Sequence, residues 1–216
     1  MNSNLPLIVI GSLVWTACLW LLANRLTKGI TPKIHPLIVG GLFTFSTVIF
    51  SYNLAHASPY LLSYSFFLSA LVVTMFTDAT TLLISRIVTL YSMPIGWILS
   101  NAGLLPISPL ESIIGSLFGL LLLWLVRTIA HKALGRDGLG QGDIDLLCFI
   151  GAFTGPIGCW ITLMTGSIIG SVLGLGYAIR RRNTGVLLPF GLFLGMGAAL
   201  YILFQENLTS LFIPQF

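Results

Sequence analysis

The chain has 216 residues, of which 56% are hydrophobic and only 7% charged, with a formal net charge of +4. Soluble domains carry roughly 25% charged residues, so this composition excludes an ordinary soluble domain and calls for lipid around much of the surface. The basic residues are scattered over four loops rather than gathered into a patch, which argues against nucleic acid as a partner.

A membrane-crossing helix needs about 20 mostly apolar residues. The sequence predicts spans at 5–23, 37–55, 59–77, 83–104, 110–130, 157–179 and 187–205, with a shorter apolar piece at 144–155. The expected fold class is all-α, a polytopic integral membrane bundle of about eight membrane segments forming a single domain over 1–216. The first span has no basic start and no small-residue cleavage site before Asn24, so it reads as a retained span rather than a removed signal peptide. In the fourth, Pro94 followed by Gly96 marks a kink whose freed carbonyl must find another donor. The piece at 144–155 is too short to cross a flat bilayer and is expected to be buried by protein, with Gly155-Pro156 turning the chain into the next span. Small residues recur at helix-packing spacing in Gly115-xxx-Gly119, Gly166-xxx-Gly170-xxx-Gly174 and Gly191-xxx-Gly195, where backbones can approach closely. No internal repeat is visible, which weakens an inverted-repeat transporter.

Lysine and arginine are retained on the cytoplasmic side of membranes. With the N-terminus outside, all ten fall inside, in the loops holding Arg25 to Lys33, Arg86, Arg127 to Arg136, and Arg180 to Arg182. Glu111 and Glu206 then fall outside, and all four aspartates at the cytoplasmic face. The Arg180 to Arg182 run reads as a stop-transfer anchor with contact to anionic membrane lipid. Cys18, Cys148 and Cys159 form no Cys-x-x-Cys pair, and His35, His56 and His131 lie away from the aspartates, so no metal site and no cofactor is expected.

Two aspartates stand beside apolar segments. Asp78 closes the third apolar run in Phe76-Thr77-Asp78, and Asp143 follows the glycine-rich loop Gly135-Arg136-Asp137-Gly138-Leu139-Gly140-Gln141-Gly142. A carboxylate next to hydrocarbon costs several kcal/mol unless paired or hydrated (about 3 kcal/mol on insertion scales), so a membrane protein keeps one chiefly for function. Structural uses remain open for each: Asp143 as the N-cap of an apolar helix, Asp78 as a cap of the next helix or an ion-pair partner of Arg86. A phosphate-binding loop is disfavoured because the last glycine is followed by Asp143 and not by Lys-Ser/Thr. Taken together, two carboxylates close enough to share a proton cannot both ionise easily, leaving one as acid and one as base. That arrangement hydrolyses amides.

These residues carry a family resemblance. The Asp143 loop resembles the Gly-x-Gly-Asp motif of type IV prepilin peptidases, membrane aspartic proteases that process prepilins and pseudopilins, with Asp137 at an acidic position upstream. The Asp78 segment is similar to the family's first motif, an Asp followed six residues later by Ile-Pro. Leu188-Pro189-Phe190-Gly191-Leu192-Phe193-Leu194 is similar to its Pro-Phe-Gly-Pro-Phe-Leu signature. Ser85 stands where the family usually has Pro, Asp145 where it often has Lys, and Leu192 where the last motif often has Pro. Asp145 either tunes the neighbouring Asp143 or faces water.

The resemblance implies an aspartic endopeptidase that removes a basic leader after a Gly from a prepilin-like or pseudopilin-like protein at the cytoplasmic face of a bacterial inner membrane. Asp78 and Asp143 would activate water; Asp137, Gly140, Gly142, Asp145, Pro189, Phe190 and Gly191 would contact substrate, with the acidic residues attracting the basic leader. Bifunctional members carry a cysteine-containing insertion between the first two spans, associated with N-methylation; here the gap is Asn24 to Pro36, which implies a protease without that half. The alternative from another class is a proton- or cation-coupled transporter using the same aspartates. An inactive scaffold in a pilus or secretion machine is a third reading.

Overall fold

A computed structural model describes residues 60–135, 139–181 and 189–212, together with isolated helical positions at Val14, Ala17 and Leu21. The expected spans at 5–23 and 37–55 lie outside the described residues. Among those described, all regular structure is helical: α1 (Leu61–Thr81), α2 (Arg86–Asn101), α3 (Pro109–Leu134), α4 (Gln141–Arg181), α5 (Phe190–Leu203) and α6 (Gln205–Phe212). Three stretches are long and apolar enough to cross a membrane: Leu62–Thr81, Pro109–Ala133 and Gln141–Gly174.

Helix α1 ends one turn past Asp78, where Leu82 takes the left-handed conformation (φ 56°) and donates its N–H to the Asp78 carbonyl at 2.8 Å. Its threonine hydroxyls are satisfied within the helix, as where Thr74 and Thr80 bond the carbonyls of Ala70 and Phe76 at 2.7 and 2.8 Å. An apolar environment offers them no water. Helix α2 is shorter than the expected span 83–104, because residues 83–85 form a connector rather than helix and the helix stops at Asn101. Helix α3 opens on a reciprocal cap: Ser108 Oγ accepts from the Glu111 N–H at 3.2 Å, and the Glu111 carboxylate accepts from the Ser108 N–H at 2.7 Å.

Helix α4 is two helices joined at Gly155, whose φ of 70° and ψ of −178° lie in a region open essentially to glycine alone. The chain reverses there. Cys159 Sγ comes within 3.9 Å of the Leu147 carbonyl oxygen, whereas twelve residues of straight helix would separate them by about 18 Å along the axis. The two arms, 141–154 and 156–181, therefore form a hairpin, and the long apolar stretch is no single rod. This matches the expected division into 144–155 and 157–179, with the turn at the expected Gly155-Pro156.

Glycines set the helix contacts. Gly115 of α3 and Gly151 of α4 face each other backbone to backbone, and Gly119 lies against Leu147. In the second arm of α4, Gly166 and Gly170 meet Phe193 of α5, while Gly195 of α5 seats Met75 of α1. The core between α1 and α4 is an aromatic group, with Phe67 centroids 4.9 Å from Phe153 and 5.2 Å from Phe149. By contrast α3 turns an apolar face outward, including Leu117, Leu121, Trp124 and Leu125, as a lipid-facing helix does. The short α6 is an addition that hydropathy alone does not mark.

These contacts fix the directions of the helices. Met75 against Gly195 and Asp78 against Gly191 make α1 and α5 antiparallel, and Gly158 against Tyr201 with Gly166 against Phe193 makes α5 antiparallel to the second arm of α4. The end of α1 and the starts of α2, α4 and α5 consequently meet at one end of the bundle.

Candidate active site

Asp78 and Asp143 arrive at that end from different helices, and both are buried, with 5% and 9% of their surfaces exposed. They are close enough to interact electrostatically. Each is held by backbone at a helix start. Asp78 Oδ2 accepts the Leu192 N–H at 3.0 Å, and the Gly191 N–H is also directed at this carboxylate. The first N–H groups of a helix have no partner within it and carry the positive end of its dipole. The opening turn of α5 thus supplies a seat for an anion, and Asp78 occupies it. Leu192, at the position where the resembled signature has Pro, supplies an N–H that proline lacks.

Asp143 is the third residue of α4, and its Oδ2 accepts the Gly140 N–H at 3.2 Å. The helix begins at Gln141, so Asp143 closes the cap from inside the first turn instead of standing at the N-cap. Nor does Asp78 pair with Arg86. Arg86 Nε lies 2.8 Å from Asp145 Oδ2, across 59 positions of sequence. Proximity along the chain made Asp78 the natural partner, but Arg86 begins a new helix whose start faces α4.

Ile84 joins the parts. It stands in the connector between α1 and α2, and a Cβ added to Gly142 would lie 2.7 Å from its Cβ, while one added to Gly191 would lie 2.6 Å from its Cδ1 and 2.9 Å from Asp78 Oδ2. Gly142 and Gly191 are glycines because Ile84 and Asp78 fill the space that a side chain needs. Outside the resembled first motif, nothing in the sequence singled out Ile84, and the backbone donors on Leu192 and Gly191 carry no mark in a sequence at all.

Of the remaining expected site residues, Pro189 precedes α5 as its N-cap and half-buried Phe190 packs on the core. Asp145 is 6% exposed and ion-paired with Arg86, so it does not simply face water. Asp137 lies outside the described residues. Among the described residues, no group of three His, Cys, Asp or Glu converges as a metal would require.

The described residues thus form a helical bundle of membrane type in which two buried carboxylates, one near the end of α1 and one at the start of α4, come to the same end. The type IV leader peptidase family matches over residues 65–179, more than half of the chain, and the chain belongs to that family. Among its relatives, a prepilin leader peptidase/N-methyltransferase of Pseudomonas aeruginosa is 28% identical over 137 residues, covering 63% of this chain and 47% of the relative. The one from Dichelobacter nodosus is 34% identical over 102 residues, 47% of this chain and 35% of that protein. A type 4 prepilin-like proteins leader peptide-processing enzyme of Escherichia coli is 31% identical over 100 residues, 46% of this chain and 36% of the relative. The match thus spans less than half the length of these relatives. No solved structure matches.

Proposed function

We propose that the chain is an aspartic endopeptidase that cleaves the basic leader from prepilin-like or pseudopilin-like substrates after a Gly, with Asp78 and Asp143 as the pair that activates water. The observation that carries this reading is the meeting of two buried, interacting carboxylates at one end of the bundle, each oriented by backbone N–H groups. One carboxylate removes a proton from water as it adds to the peptide carbonyl, and the other, protonated, donates to the carbonyl oxygen. Collapse of the tetrahedral intermediate breaks the C–N bond. The leader leaves with a new carboxyl group and the amine takes the proton. The pair titrates as a unit, so the two roles belong to the dyad and not to one residue.

In this reading all eight expected segments lie in the bacterial inner membrane and the site end faces the cytoplasm, where the basic loops are retained. Gly140, Gly142, Pro189, Phe190 and Gly191 line the approach to the dyad. Attraction of the leader falls to Asp137 and Asp143, since Asp145 is already balanced by Arg86. The transport reading gains no support from the fold or the relatives.

The test is to incubate the purified protein in lipid with a prepilin-type peptide carrying a basic leader, a Gly and an apolar segment, and to identify the products by mass spectrometry. A single cut after the Gly is expected. An intact peptide, with proton flux through proteoliposomes instead, would contradict the reading.

A further inference from the structure

Asp145 is a buried carboxylate that the hydrolysis has no use for. Its side chain is 7% exposed, and the Nε of Arg86, a side chain 60% exposed, lies 2.8 Å from its Oδ2. A cation that reaches back from solvent to a buried anion balances it while keeping most of its own hydration. The pair ties the first residue of α2 to the fifth residue of α4. Between α1 and that tie runs a connector of only four residues, 82–85. It begins at Leu82, a non-glycine residue at φ 56°, a conformation that persists only where surroundings enforce it. It carries Ile84 into the gap between Gly142, next to Asp143, and Gly191, next to Asp78.

We propose that the Arg86–Asp145 ion pair is a positioning clamp for the dyad: by fixing the start of α2 on the start of α4 it holds Ile84 wedged between Gly142 and Gly191, and so sets the separation of the two aspartates. Arg86 and Asp145 are positioning residues that act through Ile84. The wedge supplies what two helix ends lack by themselves, a spacer in contact with both.

This rests on the peptidase reading, and the experiment separates the two. Cleavage kinetics are measured for wild type, Arg86→Gln, Asp145→Asn, the charge-exchanged double variant Arg86→Asp/Asp145→Arg, and Ile84→Ala, with thermal unfolding in detergent alongside. Each single variant is expected to lose tenfold or more in kcat with KM changed less than threefold, because the leader still binds while the dyad is misplaced. The exchanged variant recovers kcat to within about threefold of wild type, and Ile84→Ala repeats the kcat loss with both charges in place. Single variants with wild-type kcat, or an exchanged variant no better than the poorer single one while equally folded, overturn the clamp. If charge variants fail to fold, Ile84→Ala with unchanged kcat overturns it independently. A wild-type protein that cuts nothing overturns the peptidase reading instead.

Discussion

Gly191 is where the space around Asp78 is tightest. A methyl group there would stand 2.9 Å from Asp78 Oδ2 and 2.6 Å from Ile84, and that same oxygen is the one that accepts the Leu192 N–H. Gly191→Ala is therefore expected to push Asp78 off its seat and to lower kcat tenfold or more, with helix content by circular dichroism unchanged. Near-wild-type kcat would show that the seat has room to spare. The aspartates themselves were legible in the sequence, since a carboxyl group among apolar residues is conspicuous on energetic grounds. Their supports were not. An ion pair of Arg86 with Asp78 was one of the structural uses open in the sequence, and the fold gives Arg86 to Asp145; the donors on Gly191 and Leu192 are backbone groups that every residue type but proline possesses.

At the scale of elements, the reversal at Gly155 decides whether α4 is a rod or a hairpin. Its dihedral angles exclude a Cβ at a cost of about 1–3 kcal/mol, although space is available, with Ile107 Cγ2 3.7 Å away. Gly155→Ala is expected to lower the unfolding temperature in detergent by several degrees, in proportion to that strain, and an unchanged midpoint would show that the turn relaxes freely. The hairpin was readable because Gly-Pro is a strong interruption of an apolar run. The start of α2 was not, since Leu82, Leu83 and Ile84 are as apolar as any helix. Hydropathy reports burial and lipid contact, and an apolar connector packed between the starts of two other helices reads the same way. The crossing of α3 and α4 at Gly115 and Gly151 was half legible: Gly115-xxx-Gly119 announced a close contact, but the matching Gly151-xxx-Gly155 of α4 was not singled out and spacing alone does not say which motif meets which. Gly115→Leu places a side chain against the Gly151 carbonyl and the Gly155 backbone and is expected to prevent stable folding, read as loss of the monodisperse species in size-exclusion chromatography. A folded, monodisperse variant would show that the two backbones can part.

Across the whole molecule, the antiparallel order of the helices puts Asp78, Asp143 and the α2 start at one end and the 102–108 loop at the other. Basic residues concentrate at the dyad end, where Arg86, Arg127 and Lys132 lie on the described helices. With the native cysteines replaced by alanine, Leu104→Cys is expected to react with a membrane-impermeant thiol reagent added outside intact cells, and Lys132→Cys only after permeabilisation; the reverse pattern would invert the orientation. All-helical class and alternating passes followed from composition because lipid leaves a helical backbone few alternatives, whereas the meeting of three helix starts around one pair of acids is a tertiary fact. The central claim is that this pair performs one reaction jointly, and it is tested most directly by cleavage of a prepilin-type peptide with Asp78→Asn and Asp143→Asn, each shown to be folded. Both variants are expected to lose at least a thousandfold in kcat/KM; retention of wild-type cleavage by either one would contradict a shared dyad.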